Sequence, residues 1–291
     1  MRAVLFGAGG MLGRDLVGTA PRGVELTPCA RADADITDPA AVARALRTCR
    51  PDVVLNCAAY TSVDRAEAEP EAAWAANAEG PAVIGRTARE AAAPPLVIHF
   101  STDYVFDGAA REPYSEDSPT APLGVYGASK LAGERALAAS GAPCCVIRTQ
   151  WLFGLAGRSF PRTMWERAMA GSPTRVVSDQ WGRPTFTTDL ARVTWQLVLH
   201  AGRELSRHRV LHVANRGVAT WHDVAARVFG SVGAGPLLTA CTTAEYPTPA
   251  RRPRYSVLDL SRVAGLPGGT IPSWDDALRR FLASLGAAAP A

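Results

Sequence analysis

The pair Tyr126 and Lys130 has residue types and a spacing that could support proton transfer. Lys130 is the only lysine of the chain, which otherwise takes its positive charge from arginine. Residues four positions apart lie on one face of a helix, so the phenol and the ammonium could reach the same reacting group. Because a nearby cation stabilises phenolate, we expect Lys130 to lower the pKa of Tyr126 toward the neutral range that suits a proton donor or acceptor. A solvated pair on a helix surface is the alternative interpretation.

Two hydroxyl residues, Ser101 and Thr102, come directly after the apolar run from Leu96 to Phe100. The run predicts a buried strand, and parallel sheets bind their ligands at the carboxyl ends of the strands. We therefore expect Thr102 to form a hydrogen bond with the substrate. An ordinary hydroxyl at a strand end is the alternative.

A glycine-rich turn follows the first predicted strand, Ala3 to Phe6, and precedes a helical pattern that begins at Met11. Its glycines are Gly7, Gly10 and Gly13. Glycines let the backbone approach a phosphate closely, and a helix N-terminus offers free N–H groups. The order of strand, turn and helix therefore predicts dinucleotide binding rather than a plain turn.

Two further segments bear on the cofactor. The second predicted strand, residues 24–29, ends where such folds read the adenosine ribose, and Arg31 stands there with no acidic residue before Asp33. An arginine can pair with a 2′-phosphate, so we expect a preference for NADPH, with NADH possible; an exposed arginine without a role is the alternative. The third predicted strand leads into small residues that would let a flat cofactor lie against the strand ends. This segment is Ala58, Ala59, Tyr60 and Thr61.

The alternation of apolar strands and helical patterns predicts an α/β fold, a doubly wound parallel sheet of the Rossmann type. Residues 1–150 would form a dinucleotide-binding domain, with a returning strand near residues 209–214. Residues 151–291, where the alternation fades, would mostly form a smaller mixed α/β C-terminal substrate-binding lobe.

Several helix boundaries can also be predicted. Asp38-Pro39 and the capping box at Thr220 indicate helix starts. Residues 67–89 predict a helix with an interruption near Gly80-Pro81. The last residues, from Gly286 onward, are expected to be disordered.

The composition indicates a soluble globular protein. No apolar run approaches the roughly 20 residues that span a bilayer, and the first residues lack the long apolar region of a signal peptide. We therefore expect a cytoplasmic protein without a membrane partner. Six cysteines without a C-x-x-C pair predict free thiols, and a net charge of +4 gives no reason to expect nucleic acid.

Together, the glycine turn, the run Ser101 to Phe106 and the pair Tyr126 and Lys130 resemble the extended short-chain dehydrogenase/reductases. Within that superfamily the chain is most similar to the dTDP-4-dehydrorhamnose reductases. The further matching segments are residues 56–64, 148–151, 179–185 and 246–253, and the last two are the more specific. The resemblance implies NADPH-dependent reduction of the 4-keto group of a dTDP-4-keto-6-deoxyhexose, above all the conversion of dTDP-4-dehydrorhamnose to dTDP-L-rhamnose in deoxysugar biosynthesis.

The resemblance also implies roles for single residues. Tyr126 would deliver a proton to the developing alkoxide, Lys130 would hold the nicotinamide ribose, and Thr102 would contact the carbonyl oxygen. The remaining implied roles fall to Gly10, Met11 and Leu12 at the pyrophosphate, Asp35 and Ile36 at the adenine, Ala59, Tyr60, Thr61 and Phe100 at the cofactor, and Asp103, Trp151 and Arg252 at the substrate, with Arg252 near its phosphates.

Some members of this family bind magnesium through glutamates at a dimer interface, but the corresponding positions here carry Asp15 and Thr188. The resemblance therefore does not extend to a metal site, and a monomer or a weak homodimer is expected. Two other functions are consistent with the same scaffold. One is a sugar-nucleotide epimerase or dehydratase that uses nicotinamide transiently, and the other is a non-catalytic NADP-binding regulatory subunit, against which the retained Thr102, Tyr126 and Lys130 argue.

Overall fold

The secondary structure follows the alternation of apolar runs and helical patterns along the chain. The computed structural model describes residues 1–288. The strands are β1 (Arg2–Phe6), β2 (Glu25–Cys29), β3 (Val53–Asn56), β4 (Leu96–Thr102), β5 (Cys144–Thr149), β6 (Leu152–Phe153), β7 (Thr174–Val177), β8 (Trp181–Gly182), β9 (Thr185–Phe186), β10 (Val210–His212), β11 (Ala219–Thr220) and β12 (Leu238–Cys241). The helices are α1 (Met11–Gly18), α2 (Pro39–Cys49), α3 (Val63–Ala68), α4 (Pro70–Trp74), α5 (Gly80–Glu90), α6 (Val125–Ala139), α7 (Phe160–Met169), α8 (Thr187–Ala201), α9 (Leu205–His208), α10 (Trp221–Ser231), α11 (Ser261–Ala264) and α12 (Trp274–Ala288).

Six strands form one parallel sheet in the order β10-β5-β4-β3-β1-β2. A parallel sheet is covered on both faces, which explains why β3 and β4 are buried along their whole length. The carboxyl ends of the parallel strands meet at one edge, which we call the carboxyl edge. The predicted doubly wound parallel sheet is confirmed.

Alternate side chains of β1 point to opposite faces of this sheet and join two separate apolar cores. Leu5 packs in the core that includes Leu16 of α1 and Trp195 of α8. Val4 packs in the core that includes Val42 of α2 and residues of α5 and α6. Helices therefore cover both faces, as this class of fold requires.

The chain returns to the main sheet after residue 150. The buried indole of Trp195 in α8 donates a hydrogen bond to the carbonyl of Leu16 in α1 (3.0 Å). β10 pairs with β5, with Val210 beside Val146. The sheet layer is thus built from residues on both sides of position 150.

The other strands form two-stranded sheets, β11-β8, β12-β7 and β6-β9. They surround a separate apolar core in which Phe153 and Phe186 stack and Phe281 of α12 meets them edge-on. The predicted capping box begins α10, because Thr220 Oγ1 accepts from the Asp223 N–H (3.0 Å) and Asp223 accepts from the Thr220 N–H (2.8 Å). This is the smaller mixed lobe.

The segment predicted as a helix over residues 67–89 is divided more finely than expected. α3 ends at Ala68, because the residue before a proline avoids the helical conformation, and Pro70 begins α4. Residues 75–79 form a π-helical turn directly before α5, so the irregularity lies before Gly80-Pro81 rather than at it.

Two strand and helix ends differ from the sequence prediction. β4 continues through Thr102, which pairs with Thr149, so this threonine belongs to the sheet itself. α12 continues to Ala288, because alanine favours helix, so the disorder predicted from Gly286 is wrong for residues 286–288; the rest of that prediction lies outside the described residues.

The predicted free thiols are confirmed at all six cysteines. Among residues 1–288, no helix is both long and apolar enough to span a membrane.

Candidate active site

The glycine turn after β1 is built for a close approach of backbone segments. Gly7 has a φ of +79°, and a Cβ placed on Gly13 would lie 2.2 Å from the Gly7 carbonyl oxygen. Gly10 is the N-cap of α1 and has no side chain to cover the first N–H groups of the helix. Leu12 is buried in the core, so its contribution to an anion site is its backbone. The turn has the geometry that was predicted for a phosphate site.

Arg31 and Asp35 lie just beyond the end of β2. The Arg31 side chain is 90% exposed, and its Nε lies 3.0 Å from the Asp35 carboxylate. Hydrogen bonds from Thr37 hold the pKa of Asp35 below its usual value. The predicted contact of Ile36 with the adenine is limited to its backbone. Its side chain is buried against Gly80 in the apolar core.

The segment after β3 is fixed by amide side chains. The Ala58 N–H donates to Asn56 (3.1 Å), and Asn77 from the π-helical turn exchanges two hydrogen bonds with the backbone of Tyr60 (2.9 and 3.0 Å). The Tyr60 hydroxyl donates to Glu69 (2.6 Å), so its ring points toward α4. Ala59 is half-buried and Thr61 is exposed. Because a Cβ on Gly7 would lie 2.5 Å from the Ala58 nitrogen, this segment borders the glycine turn directly.

Helix α6 carries Tyr126 and Lys130 and is held close to its neighbours. Its N-terminus is capped from α3, where Glu67 accepts from the Val125 N–H (2.9 Å). A Cβ on Gly127 would lie 2.1 Å from the Tyr104 carbonyl oxygen, and one on Gly133 would lie 2.0 Å from that of Asn77. These close contacts fix the first turns of the helix against the carboxyl edge.

The phenol of Tyr126 is shifted in the direction opposite to the prediction. Burial raises its pKa to about 12, while the Thr102 hydroxyl acts to lower it and the Asp103 charge acts to raise it. The ring meets Tyr104 edge-on, with 5.6 Å between ring centres. Lys130, which donates to the Phe100 carbonyl oxygen, is not among the groups that shift this pKa.

Lys130 is 2% exposed and points into the sheet. Its Nζ donates to the Phe100 carbonyl oxygen (2.6 Å) and lies 3.4 Å from His99 Nε2. Burial lowers the pKa of Lys130 to about 8, while the charge of Glu134 acts to raise it. A pKa of about 8 leaves the chain's only lysine largely protonated at neutral pH.

Thr102 and Asp103 are both buried at the end of β4. Thr102 Oγ1 donates to Asp103 Oδ1 (3.1 Å) and accepts from the Tyr104 N–H (3.2 Å). Burial raises the pKa of Asp103 to about 7, although hydrogen bonds from Ser256 and Thr102 lower it. Asp103 Oδ2 has no hydrogen-bond partner among the described residues, so this carboxyl could accept from or donate to a sugar hydroxyl.

Trp151 and Arg252 are the predicted substrate residues that lie outside the main sheet. Trp151 has a φ of +49° and stacks on Trp221, with 3.7 Å between ring centres and an interplanar angle of 9°. A Cβ on Gly182 would lie 2.5 Å from the Trp151 ring. Arg252 is paired with Asp64 of α3 (2.8 Å), which also accepts from the Ala250 N–H (3.2 Å). Both predicted substrate residues are thus held in place by protein contacts.

The positions where some family members bind magnesium are occupied here by Asp15 of α1 and Thr188 of α8. Asp15 accepts a hydrogen bond from Thr187, the neighbour of Thr188 (2.5 Å). Within residues 1–288, no group of three or more histidine, cysteine, aspartate or glutamate side chains is arranged to hold a metal ion.

Four polar residues of the site were not identified from the sequence: Asn56, Glu67, Asn77 and His99. Asn56 and His99 have a visible signal, since each is a polar residue within or at the end of an otherwise apolar buried strand. Glu67 and Asn77 act across long sequence separations, and no local pattern marks them.

Comparisons with known proteins agree with this geometry. The family described as RmlD substrate binding domain matches residues 1–287. A probable dTDP-4,6-dihydroxy-2-methyloxan-3-one 4-ketoreductase from Streptomyces antibioticus is 44% identical over 290 residues, which is 99% of this chain and 97% of that protein. A dTDP-4-dehydrorhamnose reductase from Streptomyces griseus is 43% identical over 270 residues, 91% of this chain and 88% of that protein. The crystal structure of a dTDP-4-dehydrorhamnose reductase from Bacillus anthracis in complex with NADP is similar at a TM-score of 0.88 and 31% identity, covering 97% of this chain and 99% of that one.

Proposed function

We propose that this chain, which belongs to the dTDP-4-dehydrorhamnose reductase family, reduces dTDP-4-dehydrorhamnose to dTDP-L-rhamnose with NADPH. As a member of that family it is an NAD(P)-dependent reductase of dTDP-linked 4-keto-6-deoxyhexoses. The observation that carries the proposal is the grouping of Thr102, Tyr126 and Lys130 at the carboxyl edge, beside the glycine turn. The identity of the sugar and the preference for NADPH are the finer parts of the proposal.

The residues around the glycine turn fit a dinucleotide. Gly13 packs against the Gly7 carbonyl where a Cβ would not fit. The first N–H groups of α1 have no side-chain cap, so they are available to a diphosphate. NADPH, when bound, supplies the hydride for the reduction. Arg31, 90% exposed beyond β2, would pair with the 2′-phosphate.

Tyr126 is the proposed proton donor. Its raised pKa of about 12 keeps the phenol protonated at neutral pH, which is the state that reduction of a ketone requires. An alkoxide is a stronger base than phenolate, so the proton moves downhill as negative charge develops on the substrate oxygen. Thr102 would donate a second hydrogen bond to that oxygen, and such contacts stabilise the transition state more than the ground state.

Asp103, Trp151 and Arg252 are the proposed substrate residues. Asp103 Oδ2 offers an unpaired buried oxygen to a sugar hydroxyl. Trp151 offers an aromatic wall, and Arg252 a guanidinium for the phosphates. Lys130 would hold the ribose of the cofactor through an N–H that its protein contacts leave free.

A second sugar is favoured by one observation. The relative from Streptomyces antibioticus is 44% identical over nearly the whole chain, and its name describes a different dTDP-sugar 4-ketoreductase. Its substrate, a dTDP-linked 4,6-dihydroxy-2-methyloxan-3-one, is therefore the competing candidate for this chain.

The test is to follow NADPH absorbance with dTDP-4-keto-6-deoxy-L-lyxo-hexulose generated in situ. We expect oxidation matched by formation of dTDP-L-rhamnose, insensitivity to EDTA, and a loss of turnover in Tyr126→Phe with unchanged NADPH affinity. A higher kcat/KM for the competing sugar would replace the rhamnose assignment. A higher kcat/KM with NADH than with NADPH would remove the proposed role of Arg31, and tight NADPH binding without turnover of either sugar would favour a regulatory subunit.

A further inference from the structure

Two buried polar groups follow neighbouring strands of the main sheet and lack a partner. β4 and β5 pair in parallel with Thr102 beside Thr149, so Asp103 and Gln150 are the next residues on strands about 4.8 Å apart. Asp103 and Gln150 are 1% and 2% exposed. Asp103 Oδ2 and Gln150 Nε2 have no hydrogen-bond partner among the described residues. Buried polar groups without a partner are destabilising, so two of them at one edge of the sheet need an explanation.

Both side chains lie on the face of the sheet that α6 covers. Side chains alternate between the two faces along a strand. Two positions earlier, Ser101 and Arg148 both contact Glu134 of α6 (2.5 and 2.7 Å). Asp103 and Gln150 therefore extend the same two rows of side chains, toward the end of the helix that carries the proposed proton donor.

The amide of Gln150 has a fixed orientation. Its Oε1 accepts from the Arg183 N–H (2.9 Å), so the nitrogen points away from that contact. A Cβ on Gly182 would lie 2.9 Å from Gln150 Oε1 and 2.5 Å from the Trp151 ring, which places the amide beside the aromatic wall proposed for the substrate. An amide nitrogen is a donor and a carboxylate oxygen is an acceptor. Gln150 Nε2 and Asp103 Oδ2 are therefore complementary.

The smaller lobe connects these two groups. Ser256 contacts Asp103, and its N–H donates to the Trp181 carbonyl oxygen (2.9 Å). Trp181 directly precedes Gly182, against which Gln150 packs. Asp103 and Gln150 thus lie at the two ends of one continuous set of contacts.

The two candidate sugars differ in one hydroxyl group. In dTDP-4-dehydrorhamnose, a 4-keto-6-deoxyhexose, C2 and C3 both carry a free hydroxyl. The ring of a 4,6-dihydroxy-2-methyloxan-3-one is numbered from its oxygen, so its C6 is the carbon linked to dTDP and its C3 is the ketone. In hexose numbering this sugar keeps the C3 hydroxyl and has none on C2. A residue that binds the C2 hydroxyl would discriminate between the two sugars.

We propose that Gln150 is a specificity-determining residue that donates a hydrogen bond to the C2 hydroxyl of the sugar, while Asp103 accepts from the C3 hydroxyl. The inference rests on the proposed function, in which Thr102 contacts the oxygen on C4. Thr102 Oγ1 lies 3.1 Å from Asp103 Oδ1, and Gln150 follows on the next strand. The order Thr102, Asp103, Gln150 matches the order of the oxygens on C4, C3 and C2.

The proposal favours the sugar that carries a C2 hydroxyl. A site that hydrogen-bonds a substrate hydroxyl discriminates strongly against the analogue that lacks it, because the buried protein group is then left without a partner. With the 2-deoxy sugar, Gln150 Nε2 would stay unpartnered. The substrate class is therefore the 2-hydroxylated 4-keto-6-deoxyhexoses.

The test measures selectivity at C2. Calorimetry in the presence of NADP gives the affinity for dTDP-L-rhamnose and for dTDP-2-deoxy-L-rhamnose, and kcat/KM is measured for the two corresponding 4-keto sugars. Gln150→Leu removes the donor. Thr149→Val is the matched control, because Thr149 is also buried with an unpartnered Oγ1 but points to the opposite face of the sheet.

We expect the unaltered protein to favour the 2-hydroxylated sugar at least about hundredfold in both measurements. Gln150→Leu should reduce this ratio to below about fivefold, through a loss confined to the 2-hydroxylated sugar, whereas Thr149→Val should keep it. Equal affinity of the unaltered protein for the two sugars, or tighter binding of the 2-deoxy sugar, would overturn the proposal even if Gln150→Leu does not fold. Equal weakening of both sugars by Gln150→Leu would also overturn it, since an amide that only supports Arg183 or holds a buried water gives that result. The affinity ratio needs no turnover, so its failure is distinct from an absence of reductase activity.

Discussion

The buried ion pair between Glu134 and Arg148 ties the helix that carries Tyr126 to the main sheet, and its removal should be costly. Both side chains are 6% exposed. The guanidinium donates three hydrogen bonds to the carboxylate (2.7, 3.0 and 3.2 Å), and the Ser101 hydroxyl donates a fourth (2.5 Å). Glu134→Ala would leave a buried, unpaired guanidinium.

The magnitude follows from the burial. Breaking a buried pair from one side costs about 3–5 kcal/mol, and the lost hydrogen bond from Ser101 adds about 1 kcal/mol. For a chain of this size each kcal/mol lowers Tm by about 2–4 °C. We therefore expect Glu134→Ala to lower Tm by roughly 10 °C or more, measured by thermal unfolding and, independently, by urea titration of tryptophan fluorescence.

Two controls separate the burial of the charge from the loss of the contact. Glu134→Leu combined with Arg148→Met removes both charges and should recover most of the lost stability, because apolar side chains of similar volume can replace a buried pair. Arg175→Ala breaks a pair with Glu245 at a similar distance (3.0 Å) whose side chains are 57% and 52% exposed. Because solvent screens this exposed pair, that variant should lower Tm far less than Glu134→Ala does. A Glu134→Ala cost below 1 kcal/mol, or a double variant as unstable as the single one, would refute the reasoning.

Three further predictions concern the turn, the carboxyl edge and the substrate loop. Gly13→Ala places a Cβ 2.2 Å from a carbonyl oxygen and should weaken NADPH binding at least about tenfold, whereas Gly18→Ala on the same helix meets nothing within 4 Å and should leave calorimetric affinity unchanged. The pKa of Asp103 is raised to about 7 in the folded state, so folding binds a proton and the free energy of unfolding should fall as pH rises from about 4 to 7. Asp103→Asn should flatten that decline, measured by urea titration at several pH values. An unchanged pH dependence in the variant would argue against the raised pKa. Asp64→Asn removes the charged partner of Arg252 and the acceptor of the Ala250 N–H. It should raise KM for the sugar nucleotide about fivefold, worth about 1 kcal/mol, while KM for NADPH stays constant. A change in the KM for NADPH alone would contradict this prediction.

Local sequence patterns were sufficient to predict those features that depend on interactions between residues close together in the chain. The glycine turn was predictable because the close packing of Gly13 against Gly7 occurs within one strand-turn-helix unit. The start of α2 was predictable because the Asp38 side chain caps the helix two residues later. The parallel sheet itself was predictable because strands that alternate with helices pair in parallel.

The electrostatics of Tyr126 and Lys130 could not be predicted in the same way. Spacing alone indicated a phenol with a lowered pKa, but burial dominates at both residues. That burial is a product of the fold, in which the sheet brings His99 and the Phe100 carbonyl to the lysine from about thirty positions earlier in the chain. Arg252 is a similar case, since its partner Asp64 is 188 positions away.

The late return of the chain to the main sheet has a consequence for synthesis on the ribosome. When the first 150 residues have emerged, α8 is still missing from the face that holds Leu5 and Leu16, and β5 lacks its partner β10. A nascent chain of that length presents an uncovered apolar face and an unpaired strand edge, which are the features that invite aggregation. The sheet closes only after His212 has been added, so folding of the nucleotide-binding layer is coupled to translation of nearly three quarters of the chain. A fragment of residues 1–150 should therefore need a chaperone to stay in solution.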